Sequence, residues 1–406
     1  MDVEIRTAED GDYPLVCSIR DAGFPDAKGE LDLPEMKPLF EADRTLLARI
    51  GEATVGTVSA YSFEMAVPGA TLATAGVAGV AVLPTHRRRG VLSAMMTSQL
   101  AEVASRGDVV AALWASESGI YGRFGYGPAS TMAHLSLPHY RSEFRPDIEV
   151  GGELRFVAVD AAEAAIAPVH ERAGPTIPGS FARDPRWWRH VLCDTPYHRG
   201  QDSPLACVVH SAAGVDDGYL LYRRRHDKAS QLPDGTVSVV ELVGENPVAT
   251  ASLWRFCFDL DLMVRTEAPC RMAADPLRLL LAQPRWLEAR TSDGLYVRVL
   301  DVGAGLAARG YALEDDLVIA VTDPMIASNE GTWLLEARVD GAACTRSDRS
   351  ADLAVDVADI GAAYLGRSRF AALAGVGRVR ELTPSAASRA DAVFAWPVEP
   401  WCPTEF

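Results

Sequence analysis

The chain has 406 residues, 48% of them hydrophobic and 23% charged, a composition typical of globular proteins with two or three domains. Its formal net charge of −16 argues against a nucleic-acid partner, because the surface would repel phosphates. No apolar run reaches the roughly 20 residues of a membrane helix, and the charged N-terminus MDVEIRTAED lacks the apolar core of a signal peptide. We therefore expect a cytoplasmic protein without a membrane partner. The negative charge suits cationic partners, but the charge by itself favours the alternative that it only keeps the protein soluble.

The cysteines and histidines do not form a recognisable metal motif. The seven cysteines are scattered, odd in number and without a CxxC pair, and the eight histidines show no HExxH spacing. We predict reduced core cysteines and no metal site.

The first unit, predicted at residues 1–138, alternates strands and helices around one sheet. Strands are predicted at 3–5, 45–61 (a hairpin turning at Gly51-Glu52), 74–82, 109–115 and 132–137. Helices are predicted at 10–21 and about 92–106, where apolar residues recur at three- and four-residue spacing, with helical turns at 121–124.

The second unit, residues 139–285, repeats this order of hairpin, buried strand and helix. Its predicted strands are 154–160, 205–210, 219–225 and 236–244, with a helix at 249–258, which indicates a degenerate internal repeat. The third unit, residues 286–406, has predicted strands at 295–302, 317–323, 332–341 and 351–357 and helical patches at 305–309 and 360–365.

The segment GVAVLPTHRRRGVLSAMM carries the most informative pattern. A buried strand ends at Pro84, a basic loop follows, and a helix begins after Gly90. The free N–H groups and partial positive charge of a helix N-terminus form an anion site, which the arginines strengthen and which suits a pyrophosphate. The alternative is a solvated arginine run before an ordinary helix.

This segment resembles the acetyl-CoA motif of the GCN5-related N-acetyltransferases, in which Arg87 and Gly90 match and Leu92 replaces a small residue. Downstream, SESGIYGRFGYGPAS resembles the family's block near the thiol of CoA, which makes Tyr121 the implied general acid. The fixed donors of the strand would hold the thioester carbonyl. The resemblance implies that acetyl-CoA binds at Val80, Ala81, Val82, Arg87, Arg88, Arg89, Gly90, Val91, Leu92, Ser93, Ser116 and Glu117.

The two motifs together, on a chain of this length, resemble the enhanced intracellular survival family of aminoglycoside acetyltransferases. That resemblance implies an α/β fold with two tandem acetyltransferase-like units, the second degenerate, and an α+β sterol-carrier-protein-like C-terminal domain. It also implies a homohexamer, multiple acetylation of polyamine antibiotics, and the C-terminal carboxylate of Phe406 as general base. Trp401 and Phe406 in the tail WPVEPWCPTEF favour a buried, fixed terminus.

The acceptor site is predicted from charge. Acidic residues between Asp26 and Glu35, together with Glu405, are candidates for binding a polycation, and Phe24 for an apolar wall. Solvated acidic loops are the alternative. In the second unit Glu245-Asn246-Pro247 stands where arginine and glycine are needed, so we expect a scaffold that binds no CoA. Two other functions stay open: a protein lysine acetyltransferase, and a lipid-binding carrier that uses the third domain.

Overall fold

A computed structural model describes residues 3–24, 35–226, 234–367 and 369–406. The predicted acceptor residue Asp26 lies outside the described residues. Among the described residues, no helix combines the length and the apolar composition needed to cross a membrane.

Strands and helices alternate along the whole chain. The first stretch contains β1 (Glu4–Thr7), α1 (Tyr13–Gly23), β2 (Thr45–Ile50), β3 (Ala53–Val67), β4 (Ala70–Val82), α2 (Val91–Ser105), β5 (Val110–Trp114), α3 (Ser118–Tyr121) and β6 (Gly127–Pro128). The middle stretch contains β7 (Thr131–Pro138), β8 (Glu153–Val157), α4 (Ala162–Ala173), α5 (Pro185–Val191), α6 (Pro196–Arg199), β9 (Ala206–Ala212), β10 (Val215–Arg225), β11 (Gly235–Gly244), α7 (Pro247–Asp259), β12 (Met263–Met272), α8 (Leu277–Leu280) and β13 (Glu288–Asp293).

The last stretch contains β14 (Leu295–Val299), α9 (Val302–Ala308), β15 (Asp315–Thr322), β16 (Gly331–Arg338), β17 (Gly341–Arg346), β18 (Leu353–Asp356), α10 (Val357–Ala363), α11 (Phe370–Gly375), β19 (Arg380–Glu381) and α12 (Ala386–Phe394). The described residues form three sheets, with strand orders β1-β2-β3-β4-β5-β14-β6, β13-β7-β12-β11-β10-β9-β8 and β17-β16-β15-β18-β19. Two seven-stranded sheets and a smaller five-stranded sheet agree with the predicted fold class, two tandem acetyltransferase-like units followed by an α+β C-terminal domain.

Two strands belong to other sheets than the sequence predicts. The strand near 132–137, predicted to lie in the first sheet, is β7 and pairs with β12 in the second. The strand that begins at Leu295, predicted for the third unit, is β14 and lies between β5 and β6 in the first sheet. Alternating apolar residues identify a strand, but its partners are distant in sequence and leave no local signal.

The chain divides into two compact units, one made of Met1–Ser130, Ile177–Ala182 and Asp293–Phe406, and the other of Thr131–Thr176 and Arg183–Ser292. The predicted domain limits at 138/139 and 285/286 stay predictions.

Helix α2 packs on the first sheet through the predicted apolar face. Met95, Met96, Leu100 and Val103 are at most 1% exposed and share a core with residues of β2, β3, β4 and β5. Full burial of each such side chain stabilises the fold by roughly 1.5–3 kcal/mol. Gly56 lets the helix approach β3, because a Cβ there would lie 2.9 Å from the sulfur of Met95.

In the second unit, α7 is the helix that corresponds to α2, and its N-terminus is capped by side chains of the protein. Asn246 caps α7, its side-chain oxygen accepting from the amide of Ala249 at 2.9 Å while its nitrogen donates to Asp217. Glu245 pairs with Arg172 at 2.6 Å. Protein groups therefore occupy this helix N-terminus, and the absence of CoA binding in the second unit stays a prediction.

Candidate active site

Strands β4 and β5 separate at the centre of the first sheet. Their parallel pairing runs from Thr74–Val110 to Val77–Leu113 and, in the described residues, goes no further. In the pairing with β3, the register shifts so that Gly79 and Val80 together oppose one residue, a β-bulge with Gly79 at φ +58°. The edge of β4 from the bulge to its end therefore offers backbone groups to a ligand, as buried backbone groups require partners.

The basic loop leads from this edge into helix α2. Arg88 has φ +59° and Gly90 has φ +81°, both in the left-handed region. Alternation with left-handed residues turns successive N–H groups toward one side, which forms an anion-binding concavity. No atom lies within 4 Å of a Cβ built on Gly90, so the backbone conformation and the free space before the helix explain this glycine.

Helix α2 adds its own donors to this concavity. The amide of Ala94 donates to the carbonyl of Gly90 at 3.0 Å, and the amides of Val91, Leu92 and Ser93 come before this bond in the first turn. The first turn contains no acidic residue. A diphosphate would meet both free amides and the positive end of the helix dipole.

A cleft of about 780 Å³ joins the loop to the open strand edge. It collects most residues predicted to bind the cofactor: Val80, Ala81, Val82, Arg87, Arg88, Gly90, Val91, Leu92, Ser93, Ser116 and Glu117. Arg89 is the exception, since it does not line the cleft, although all three arginines are exposed. A run of three arginines does not reveal which of them face the cleft.

The structure adds residues to the cleft that sequence reasoning missed. Gly23, His86, Ile120 and Arg123 also line it. Arg123 lies two residues after the predicted acid Tyr121, with its guanidinium 5.0 Å from the centre of the Phe124 ring. Its basic character next to that motif was the available signal.

Arg87 connects the cofactor loop to helix α1. Its guanidinium donates to the carbonyl of Gly23 at 3.1 Å and to that of Val82 at 3.4 Å. It thereby fixes the end of α1 beside the end of β4, a role that its match to the family motif does not predict.

Tyr121 lies where α3 meets the cleft and is 5% exposed. Its ring makes an edge contact with Tyr126 at 6.0 Å between centroids. Burial, with a smaller effect of the charge on Glu117, raises the pKa of Tyr121 to about 12. The phenol therefore keeps its proton at neutral pH and can donate a hydrogen bond into the cleft.

Phe406 lies on the face of β3 and β4 opposite to the face that Tyr121 packs against. The ring of Phe406 contacts Phe63 at 5.1 Å and Phe181 at 5.4 Å, and a Cβ on Gly76 would lie 3.2 Å from it. Tyr121 instead shares a core with Val77, the neighbour of Gly76. Because successive strand residues face opposite sides, Phe406 and Tyr121 lie on opposite faces of the sheet, close to the split.

The predicted acceptor residues are only partly brought together. Phe24 lines the cleft beside Gly23. Glu405 is exposed in the tail and is not among the residues lining the cleft. Trp401 is 4% exposed, which confirms the predicted burial of the tail.

Three family models match the chain. An acetyltransferase (GNAT) domain matches residues 4–129, a second acetyltransferase (GNAT) domain matches 179–299, and a sterol carrier protein domain matches 302–403. An uncharacterized N-acetyltransferase of Streptomyces avermitilis is 40% identical over 394 residues, which are 95% of this chain and 94% of that protein. The N-acetyltransferase Eis of Mycobacterium tuberculosis is 33% identical over 407 residues, 97% of each chain.

Solved structures show the same architecture. Eis1 from Mycobacterium abscessus is 32% identical and superposes with a TM-score of 0.86 over the full length of both chains. A GCN5-related N-acetyltransferase from Anabaena variabilis, 18% identical, shares the fold with a TM-score of 0.88 over both full chains.

The split sheet, the basic loop before α2 and the matching domain models define an acetyl-CoA-dependent N-acetyltransferase of the GCN5-related class. Within that class, full-length identity to the mycobacterial proteins places the chain in the Eis family.

Proposed function

We propose that this enzyme transfers acetyl groups from acetyl-CoA to several amines of polycationic small molecules such as aminoglycosides. The observation that carries the proposal is the split between β4 and β5, with Tyr121 on one face and the chain terminus at Phe406 on the other. A thioester in the split would be open to an amine from one side and to a proton donor from the other.

The proposed reaction uses this arrangement directly. The diphosphate of acetyl-CoA binds the concavity before α2, and its amide-containing arm pairs with the open edge of β4 near Val80 and Val82. A neutral amine attacks the thioester carbonyl, and strand amides stabilise the oxyanion. The C–S bond then breaks while Tyr121 donates its proton to the leaving sulfur, and the amine proton goes to a base; the Tyr121 phenolate takes a proton back from solvent before the next turnover.

The C-terminal carboxylate of Phe406 is the proposed base. Its reference pKa is near 3.5, so it would act on an ammonium group whose own pKa is lowered by neighbouring positive charges, as in a polyamine. The buried residues just before the terminus support a fixed position for this carboxylate, Trp401 at 4% exposure and Thr404 at 2%.

The charge of the chain favours a cationic acceptor. The net charge of −16 attracts polyamines over long range, while Arg87, Arg88 and Arg123 line the cleft, where they would bind the phosphates. Phe24 in the cleft and the predicted acceptor residues Asp26 and Glu405 complete the proposal for the acceptor site.

The test is CoA release measured with the full-length enzyme. A panel of aminoglycosides and linear polyamines is compared with lysine peptides of equal amine concentration. We expect turnover with polyamines, and mass spectrometry should find more than one acetyl group per molecule. Turnover with peptides alone would replace the proposal by the protein lysine acetyltransferase.

The lipid-carrier alternative has weaker support. A cleft in the region of the sterol carrier protein match has a volume of about 230 Å³ and is lined by the charged residues Arg367, Arg369, Asp391 and Glu399. Ligand pockets usually have volumes of roughly 300–1,000 Å³ and mostly apolar walls. Mass spectrometry of lipid extracted from the purified protein would test this alternative.

We also propose the family's hexamer for this chain. Large apolar side chains at the surface of the second unit support an interface, since Tyr140 is 73% exposed and Phe156 is 68% exposed. Light scattering would show six copies per particle, and a monomer at micromolar concentration would contradict the proposal.

A further inference from the structure

The last residues of the chain are held by hydrogen bonds to distant elements. The indole N–H of Trp114, the final residue of β5, donates to the carbonyl of Thr404 at 3.1 Å. The thiol of Cys402 donates to the same oxygen at 3.1 Å. Chain termini are usually poorly ordered unless contacts of this kind fix them.

A short segment at Ile177–Ala182 holds the other side of the tail. It pairs with the end of β3, where the amide of Ala182 donates to Glu64 at 2.9 Å and that of Ala66 donates to Ser180 at 2.8 Å. Its Pro178 carbonyl accepts from the amide of Trp401 at 2.9 Å. The tail is thus fixed at Trp401 before it reaches Trp114.

The same segment also contacts the ring of Phe406 through Phe181. Phe181 is 1% exposed and meets the ring of Phe406 edge-on, at 5.4 Å and an interplanar angle of 89°. Edge-to-face contact is a preferred geometry of aromatic pairs. The ring is therefore held in one place and orientation.

These contacts lie next to the split. Trp114 follows Leu113, the last β5 residue paired with β4, and Thr404 is two residues from the chain end. We propose that Trp114 and Phe181 are positioning residues, which hold the Phe406 carboxylate at the split without touching the reacting atoms. This inference rests on the proposed function of that carboxylate as base.

The first test replaces the donor and keeps an aromatic ring. In Trp114→Phe we expect kcat to fall about tenfold, because a base displaced by a fraction of an ångström loses its alignment, while KM for acetyl-CoA stays unchanged. Trp333→Phe is the matched control, since the buried Trp333 also donates to a backbone carbonyl, that of Asn329 at 2.9 Å. Its kcat should equal that of the wild type.

A double-mutant cycle then separates positioning from general damage. Adding a few residues after Phe406 converts the carboxylate to an amide and should reduce kcat strongly. In that extended protein Trp114→Phe should cause no further loss, because the group it positions is gone. Losses that multiply would overturn the role of Trp114, even if the extension confirms the base.

The extension alone tests the proposed function. If the extended protein keeps full turnover, the carboxylate is not the base, whatever the result for Trp114→Phe. Phe181→Leu serves as a second variant and should show the same non-additive loss, with its folding verified by thermal unfolding. If the losses of kcat caused by Phe181→Leu and by the extension multiply, Phe181 is not a positioning residue.

Discussion

The proposed role of Tyr121 as the general acid that protonates the leaving thiolate of CoA is tested by the substitution Tyr121→Phe. The substitution keeps the buried ring and its edge contact with Tyr126, and removes only the hydroxyl. We expect kcat with a polyamine to fall and the affinity for acetyl-CoA to stay unchanged, because the hydroxyl serves the leaving sulfur and not the bound thioester.

The expected fall in kcat follows from the raised pKa of Tyr121 and from the strength of its hydrogen bond to the leaving sulfur. With a pKa of about 12 for Tyr121 and a reference thiol near 8.5, complete proton transfer to a free thiolate is unfavourable by about 5 kcal/mol. The phenol therefore acts by a hydrogen bond that strengthens as charge develops on sulfur, and transfer is concerted with C–S cleavage. A hydrogen bond to a charged group contributes about 1.5–3 kcal/mol, so we expect kcat to fall roughly 10- to 150-fold.

Tyr126→Phe is the matched control. Tyr126 is 1% exposed, and its hydroxyl has no hydrogen-bond partner among the described residues. Removing this hydroxyl should leave kcat unchanged and not lower the stability. Single-turnover rates with saturating acetyl-CoA are the suitable assay, because they report chemistry without product release. Equal rates for Tyr121→Phe and Tyr126→Phe would refute the assignment of the acid.

Two further predictions concern the cofactor loop and the C-terminal domain. Gly90→Glu should abolish acetyl-CoA binding in calorimetry, whereas Gly107→Glu, at φ +89° and equally open space at the other end of α2, should retain it; equal affinities would contradict the anion site. Burial raises the pKa of Asp359 to about 6 despite its contact with Arg378. The protonated Asp359 side chain therefore contributes its full stability below about pH 4, and this contribution is lost as the pH rises through 6. At pH 8 Asp359→Asn should be more stable than the wild type by at most about 3 kcal/mol, and at pH 4 it should not be. Denaturant unfolding at both values would show it, and a pH-independent difference would count against it.

The cofactor loop could be predicted because its signals are local. A strand, a proline, a basic loop and an amphipathic helix follow one another within Val80–Val103, and each element lies where the pattern indicates. Backbone torsions at Arg88 and hydrogen bonds of Arg87 to distant carbonyls are not encoded in any short pattern. The sequence therefore predicts the basic loop but does not separate the two arginines that line the cleft from Arg89.

The partners of the central strands could not be predicted for a related reason. Leu295–Val299 reads as a buried strand, and nothing in its residues indicates that Trp114 and Val110 of β5 are its neighbours. The same holds for the segment at Ile177–Ala182, which has no strand pattern and joins β3 through isolated backbone bonds. The sequence predicts a buried tail at Trp401, but not the residues that receive it.

The C-terminal region of the chain is part of the catalytic sheet. Strand β14 separates β5 from β6, and α10 lies so close to β6 that a Cβ on Gly127 would come within 1.9 Å of the carbonyl of Ala358. The side chains of Arg298 on β14 and Asp323 form an ion pair with no solvent exposure, and a Cβ on Gly125, four residues after Tyr121, would contact that guanidinium at 2.7 Å.

Removing one partner of this buried ion pair would leave the other charge uncompensated, which usually costs about 3–5 kcal/mol. The region from Leu295 onward thus supplies a strand beside β5, a support beneath the Tyr121 segment and the ring of Phe406 against β3 and β4. The residues matched by the sterol carrier protein model, 302–403, contribute Asp323 and Ala358 to this packing, more than 200 residues after the cofactor loop in the chain.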